Sequence, residues 1–214
     1  MSTTGDMNTD TNQPPLIRAI IWDLGGVLLR RKDFTRRENL AARLGLTRAE
    51  LEHLVSASDT GRRAKLGKGN TKGHWEDVRA ALDLAPDDMS AFKAAFWGDN
   101  RLDTALVDYV RTLRQRYRTA LLSNAWGGLR YFLVERWRIA DAFDHLIISA
   151  EVGLKKPDPR IFRLTLARVG VDPQEAVFLD DSWKNVQAAR RLGMHAIRFR
   201  DPEQALAELN QLLE

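Results

Sequence analysis

Carboxylates, a hydroxyl group and an amine stand at or just beyond the ends of apolar segments in this sequence. These residues are Asp23, the pair Ser123-Asn124, Lys156 and the pair Asp180-Asp181. If the apolar segments form parallel strands, ligands bind beyond their carboxyl ends, where these side chains would meet. Asp23 and Asp181 would repel each other there unless a cation lay between them. Two carboxylates that leave the rest of the coordination shell open suit Mg²⁺, so we predict a Mg²⁺ site at this edge.

Five apolar segments are predicted to be the strands that position these residues. They are Ile17–Trp22, Thr119–Ser123, His145–Ser149, Ala176–Asp180 and His195–Phe199. Each segment is almost continuously apolar, which is typical of parallel strands that are covered on both faces. Helical patterns follow at residues 126–138, 159–169, 183–193 and 202–213. Strands and helices in alternation predict a layered α/β fold with a Rossmann-like parallel sheet.

A helical pattern without a strand signal fills residues 33–100, between the first two predicted strands. Thr47-Arg-Ala-Glu50 is a capping box and predicts a helix start. Further helices are predicted from about Thr71 and after Pro86, and residues 61–70 are predicted to be a loop. A helical module is therefore predicted to interrupt the α/β domain shortly after Asp23.

The predicted domain organisation has three parts. They are a flexible tail at residues 1–15, an α/β core at 16–32 and 101–214, and a helical cap at 33–100. Hinges for the cap are expected near Leu29–Phe34 and Gly98–Leu102 by analogy with other lidded enzymes.

The composition is typical of a globular protein and excludes several function classes. Of the 214 residues, 44% are hydrophobic and 29% are charged, and the formal net charge is +4. The absence of cysteine excludes disulfides, thiolate metal sites and cysteine nucleophiles. No apolar run reaches the ~18 residues of a membrane span, and no basic segment is interleaved with aromatic residues, so neither a membrane nor a nucleic acid is predicted as a partner. The first 15 residues lack an apolar signal core, so a cytoplasmic location is expected by default.

Four segments resemble the motifs of a known family. "WDLGGVL", "LLSNA", "GLKKPDPRIF" and "FLDDSWKNV" are similar to the four motifs of the haloacid dehalogenase-like hydrolase superfamily, in its helical-cap branch. They occur in the family's order and the resemblance covers roughly residues 17–200. It implies an Mg²⁺-dependent phosphatase that acts on a small phosphorylated metabolite through an aspartyl-phosphate intermediate.

The resemblance also implies a role for each motif residue. Asp23 would be the nucleophile, Ser123 would hold a phosphoryl oxygen with Asn124 beside it, and Lys156 would neutralise negative charge. Asp23, the backbone carbonyl of Gly25 and Asp181 would ligate Mg²⁺. Asp180 and Asn185 would not ligate the ion but would support the residues that do.

Gly25 is a departure from the family pattern. Most phosphatases of the family carry an aspartate there, which protonates the leaving group and later activates water. Without it, substrates with better leaving groups, such as anomeric sugar phosphates or acyl phosphates, are expected over simple alkyl phosphates. A related phosphatase group reads "DLGN" at this point, so the glycine does not exclude activity.

Two alternatives remain open at this stage. One is a 2-haloacid dehalogenase, for which Gly25 is no handicap because halide departs without protonation. That chemistry needs no metal, however, and the Asp180-Asp181 pair is typical of a metal site. The other is a catalytically weakened member that binds a phosphorylated ligand or a protein. The sequence carries no signal for the oligomeric state.

Overall fold

Five parallel strands form the central sheet in residues 16–31 and 33–214, the part of the chain that the computed structural model describes. The predicted tail at residues 1–15 lies outside the described residues. In chain order the strands are β1 (Ala19–Trp22), β2 (Leu29–Arg31), β3 (Asn100–Leu102), β4 (Arg118–Ser123), β5 (His145–Ile148), β6 (Ala176–Asp180) and β7 (His195–Arg198). The central sheet has the order β5-β4-β1-β6-β7 and every neighbouring pair in it is parallel.

Both faces of this sheet are covered, which explains the continuous apolar segments. In β1, Ile20 and Trp22 pack into the apolar cluster on one face, while Ala19 and Ile21 pack into the cluster on the other. Successive side chains of a strand point to opposite faces, so a strand that is buried on both sides needs apolar residues at every position. The predicted α/β class with a Rossmann-like parallel sheet is confirmed.

The strand order places one crevice at the centre of the sheet. The chain runs from β1 outward through β4 and β5, and then crosses to the other side of β1 to form β6 and β7. Ligands of open α/β sheets bind where the strand order reverses, beyond the carboxyl ends. Here that point lies at the end of β1, between the ends of β4 and β6.

The described residues contain eleven α-helices. They are α1 (Thr35–Arg43), α2 (Arg48–Glu52), α3 (Asp59–Ala64), α4 (Thr71–Ala81), α5 (Asp88–Trp97), α6 (Thr104–Leu113), α7 (Leu129–Tyr131), α8 (Ser149–Val152), α9 (Pro159–Val169), α10 (Trp183–Arg190) and α11 (Pro202–Leu213). The helices predicted at 159–169 and 202–213 have the expected bounds. The helix predicted at 126–138 is shorter, because it consists of α7 and a π-helical turn at Phe132–Arg136.

Helices α1 to α5 form the segment between β2 and β3 and have an apolar cluster of their own. Its fully buried members include Leu51, Val55 and Phe96. The predicted capping box is present, since the Thr47 hydroxyl accepts from the Glu50 amide at 3.2 Å and the Glu50 carboxylate accepts from the Thr47 amide at 2.8 Å.

The loop predicted at residues 61–70 is partly wrong, because α3 extends to Ala64. The Ser58 hydroxyl accepts a hydrogen bond from the Gly61 amide at 3.2 Å and caps the helix, and Gly61 and Ala64 are buried. Small residues allow this helix to pack closely, whereas the glycine and the basic residues had indicated a loop.

A two-stranded antiparallel ribbon, unpredicted from the sequence, joins the helical segment to the sheet. β2 pairs with β3 through Leu29 and Leu102. The side chain of Arg30 forms an ion pair with Asp103, which caps α6. These strands are short and polar, so they lack the apolar signal that revealed the others. The division into a core and a cap, with its boundaries, stays a prediction.

Candidate active site

A buried lysine joins two carboxylates at the carboxyl edge of the sheet. The Lys156 Nζ donates to Asp23 Oδ1 at 2.6 Å and to Asp180 Oδ2 at 2.7 Å. It also donates to the carbonyl oxygen of Leu122 at 2.8 Å, so all three of its protons are used. Lys156 is 3% exposed and Asp23 is 7% exposed. The structure therefore brings three residues together from the ends of β1 and β6 and from the loop before α9.

Burial and the neighbouring opposite charges shift the pKa values of Asp23 and Lys156 in opposite directions. Burial raises the pKa of Asp23, and the positive charge of Lys156 partly opposes that shift. Burial by itself would lower the pKa of Lys156, but the two carboxylates outweigh it and raise that pKa. Lys156 therefore remains an ammonium ion at neutral pH, and its charge is available beside Asp23.

Asp180 accepts hydrogen bonds from three residues, Lys156, Ser182 and Asn185. The Asn185 amide nitrogen lies 3.0 Å from both of its carboxylate oxygens, and the Ser182 amide donates to Oδ1 at 2.8 Å. Together with Lys156, these donors give each oxygen two hydrogen bonds. Asp180 is fully buried, so it acts as an anchor that orients Lys156 and has little capacity left for another ligand.

A third carboxylate completes an acidic cluster that can hold a cation. Asp23, Asp180 and Asp181 each offer one carboxylate oxygen, and these atoms lie within 4.8 Å of one another. Because the oxygens of Asp180 already accept two hydrogen bonds each, Asp23 and Asp181 are the better ligands. Desolvation by burial and the negative charge of Asp180 raise the pKa of Asp181. A divalent cation would remove that repulsion, and carboxylate oxygens are the donors that Mg²⁺ prefers.

The two glycines after β1, Gly25 and Gly26, differ in the space that a side chain would have. Gly26 has φ +88°, and a Cβ atom there would overlap the Asp181 carboxylate. Only glycine allows this close approach. A Cβ atom on Gly25, by contrast, would meet nothing within 4 Å. The predicted use of the Gly25 carbonyl as a metal ligand stays a prediction.

Asn124 positions the loop that carries Lys156. Its amide nitrogen donates to the Lys156 carbonyl at 2.9 Å, and its amide oxygen accepts from the Lys156 backbone amide at 2.8 Å. Both ends of the Asn124 side chain are engaged with this loop, and its predicted catalytic role beside Ser123 stays a prediction. Ser123 ends β4 next to it and is 4% exposed.

Ser149 is a supporting residue that sequence reasoning missed. Its hydroxyl accepts from the Ala125 amide at 3.0 Å and donates to the Ala125 carbonyl at 3.1 Å. These bonds hold the loop that follows Ser123. The available signal was its position directly after β5, since polar residues at the ends of β1, β4 and β6 form the candidate site.

An aromatic contact brings the helical segment onto this loop. The Trp126 indole donates to the Gly61 carbonyl at 3.2 Å, and its ring lies 5.3 Å from Trp75 and 5.7 Å from Trp97, measured between centroids. The Lys65 Nζ lies 5.5 Å from the centroid of Trp126. Helices α3 to α5 therefore lie beside the loop that begins at Ser123.

A parallel α/β sheet with a carboxylate cluster at its switch point is the arrangement in which Rossmann-like proteins bind their ligands. The haloacid dehalogenase-like hydrolase family profile matches residues 17–193. The chain belongs to this family and is a hydrolase.

Two relatives of known name support this placement, and one of them is named as a phosphatase. The chain is 30% identical over 195 residues to D-ribitol-5-phosphate phosphatase of Bacteroides thetaiotaomicron, covering 86% of this chain and 92% of that protein. It is also 30% identical over 218 residues to bifunctional epoxide hydrolase 2 of Sus scrofa, covering 92% of this chain. The chain spans only 39% of the length of that second relative.

A solved structure shares the fold. It is a HAD family enzyme from Bacteroides thetaiotaomicron in complex with magnesium and inorganic phosphate, with a TM-score of 0.73 and 24% identity. The similarity covers 88% of this chain and 98% of that one. Among the described residues, no helix combines the length and apolar content that crossing a membrane requires.

Proposed function

We propose that this protein is an Mg²⁺-dependent phosphatase of a small phosphorylated metabolite, with Asp23 as its nucleophile. The observation that carries the proposal is the buried Lys156 ammonium, 2.6 Å from Asp23, beside a carboxylate cluster that fits a cation. This arrangement places positive charge around a carboxylate, which is what attack on an anionic phosphoryl group requires.

Asp23 and Asp181 are the residues that would hold Mg²⁺. When bound, the ion stabilises negative charge on the transferring phosphoryl oxygens. The carboxylate of Asp23 would attack phosphorus, the bond between phosphorus and the leaving oxygen would break, and an aspartyl-phosphate would form. Lys156 would neutralise charge on Asp23 and the phosphoryl group, and Ser123 would hold a phosphoryl oxygen. Water would then release inorganic phosphate and restore Asp23.

Gly25 shapes the expected substrate range. It has no side chain that could protonate a leaving alkoxide, so anomeric sugar phosphates and acyl phosphates, whose leaving groups are better, are the favoured classes. The name of the Bacteroides relative refers to the phosphate ester of a polyol. A substrate panel therefore needs alkyl phosphates as well as acyl and anomeric phosphates.

Phosphate release from this panel, with Mg²⁺ or with EDTA, tests the proposal. We expect release that depends on Mg²⁺ and falls at least ~10³-fold in Asp23→Asn, which has nearly the same shape but no nucleophilic charge. Asp87→Asn is the matched control, because Asp87 is exposed in the helical segment and its side chain caps no helix.

Two results would contradict the proposal. One is a folded wild-type protein that releases no phosphate from any member of the panel. The other is halide release from 2-chloropropionate in the absence of Mg²⁺, which would favour dehalogenation.

A further inference from the structure

A second cleft lies at the opposite edge of the sheet, next to the amino ends of β1, β4 and β5. Its volume is about 640 Å³, within the ~300–1,000 Å³ of small-molecule sites. Five arginines line it, namely Arg18, Arg114, Arg116, Arg118 and Arg168. The catalytic role proposed above uses none of them.

Three of these arginines make ion pairs or hydrogen bonds with residues in or next to the lining of the cleft. Arg18 pairs with Glu175 at 3.1 Å, and Arg114 pairs with Asp144 at 2.7 Å. Arg118 donates to the carbonyl oxygens at the end of α9. Their guanidinium groups therefore have defined positions, which lowers the entropy lost when they bind a ligand.

The other two arginines, Arg116 and Arg168, have different surroundings. Within residues 16–31 and 33–214, neither Arg116 nor Arg168 has a carboxylate oxygen within the 4.0 Å of an ion pair. The Arg116 guanidinium lies 5.6 Å from the centroid of Tyr117. In the part of the chain that the structure describes, Glu175 and Asp144 are the carboxylates paired with the arginines of the cleft, and an anion bound there would relieve the repulsion between the guanidinium groups.

We propose that this cleft binds an organic polyphosphate, such as a nucleoside triphosphate. Arginine forms paired hydrogen bonds to phosphate, and guanidinium groups spread over one cleft suit several linked phosphates better than a single one. Leu16, which is 80% exposed, and the half-buried Tyr117 and Leu213 line the same cleft and offer an apolar and aromatic surface for the organic part of the ligand.

The cleft is too far from the active site to be a part of it. Arg118 begins β4 and lines the cleft, whereas Ser123 ends the same strand in the active site. Five steps along a strand span roughly 17 Å. A ligand in the cleft would therefore not contact the residues of the catalytic site, and this proposal does not rest on the phosphatase function.

Isothermal titration calorimetry of the full chain in EDTA, with ATP, inorganic tripolyphosphate and adenosine, tests the proposal. We expect ATP to bind, tripolyphosphate to bind more weakly, and adenosine to bind at least ~10-fold more weakly than ATP. The double variant Arg116→Gln/Arg168→Gln should lose at least ~10-fold in ATP affinity, because charged hydrogen bonds are removed. The control Arg43→Gln/Arg163→Gln removes the same charge from exposed residues outside the cleft and should change affinity less than ~2-fold.

Three outcomes would overturn the proposal. They are no binding of ATP or tripolyphosphate to the wild-type chain, unchanged ATP affinity in the cleft variant, and an equal loss of affinity in both double variants. Equal affinity for ATP and tripolyphosphate would overturn the assignment of an organic ligand.

Discussion

The variant Gly25→Asp tests whether the missing proton donor limits this active site. Gly25 is exposed, its φ lies outside the left-handed region, and a Cβ atom there would meet nothing within 4 Å. The aspartate can therefore be introduced without strain, and we expect the free energy of unfolding to change by less than ~0.5 kcal/mol. Nearby carboxylates would also favour the protonated form of the new side chain, which is the form that donates.

The expected gain depends on the leaving group. General acid catalysis is typically worth ~10²–10⁴-fold, or about 2.7–5.4 kcal/mol at ~1.36 kcal/mol per tenfold. Because the new carboxyl group has no partner to orient it, we expect the lower end, about 100-fold, for an alkyl phosphate. An acyl phosphate has a leaving group that departs without a proton, so its rate should change less than ~3-fold.

Comparison of kcat/KM for β-glycerophosphate and acetyl phosphate is the assay. The control Gly25→Asn adds a side chain of similar size without an ionisable proton, so it should leave the ratio of the two rates unchanged. The reasoning is refuted if Gly25→Asp folds normally and the ratio does not rise. It is also refuted if Gly25→Asn produces the same rise, because space and not proton donation would then be the cause.

Three further variants test the packing of the site and of the helical segment. Lys156→Met leaves two buried carboxylates without their cation and should lower the free energy of unfolding by about 3–5 kcal/mol in urea titrations, whereas a loss below ~1 kcal/mol would contradict the ion-pair geometry. Gly26→Ala should reduce both Mg²⁺ affinity and kcat by at least ~10-fold, because its Cβ atom would displace the Asp181 carboxylate, and wild-type values would disprove that contact. Burial and the nearby positive charge of Lys155 lower the pKa of Lys65 from 10.5 to about 8. The folded chain therefore binds fewer protons at that side chain than the unfolded chain between pH 8 and about 10.5, so its stability rises with pH across that window and is lowest below pH 8. Lys65→Met removes the penalty and should raise the melting temperature at pH 7 by about 2–4 °C, the equivalent of ~1 kcal/mol, with little difference from wild type near pH 10.5. A pH-independent difference in melting temperature would contradict this assignment.

The sequence was most informative for the buried strands of the central sheet, because each of them carries its own apolar signal. β6 was predicted with its observed bounds, and β5 ends one residue early because Ser149 begins α8. Continuous burial requires apolar residues at every position, so these strands are visible without any knowledge of their neighbours. The ribbon of β2 and β3 was invisible because its pairing joins residues about 70 positions apart and buries little apolar surface.

The residues of the candidate site could be predicted from the sequence, but their hydrogen-bond partners and distances could not. Asp23, Lys156 and Asp180 were all named from the sequence, and their roles stay predictions. The partners of Asn124, both on the loop of Lys156, could not be inferred from its position next to Ser123. An amide side chain can donate and accept in many directions, and the packing of the surrounding loops selects one.

The sequence by itself determined the α/β class, the strand ends that carry chemistry and the family resemblance, because these follow from local patterns of apolar and polar residues. Only the tertiary structure decided which oxygen Lys156 reaches, why Gly26 must lack a side chain, and that five arginines line a second cleft. The physical reason is that hydrogen bonds, close contacts and charge clusters depend on distances of a few ångströms between residues that are far apart along the chain. Those distances exist only once both faces of the sheet have been packed.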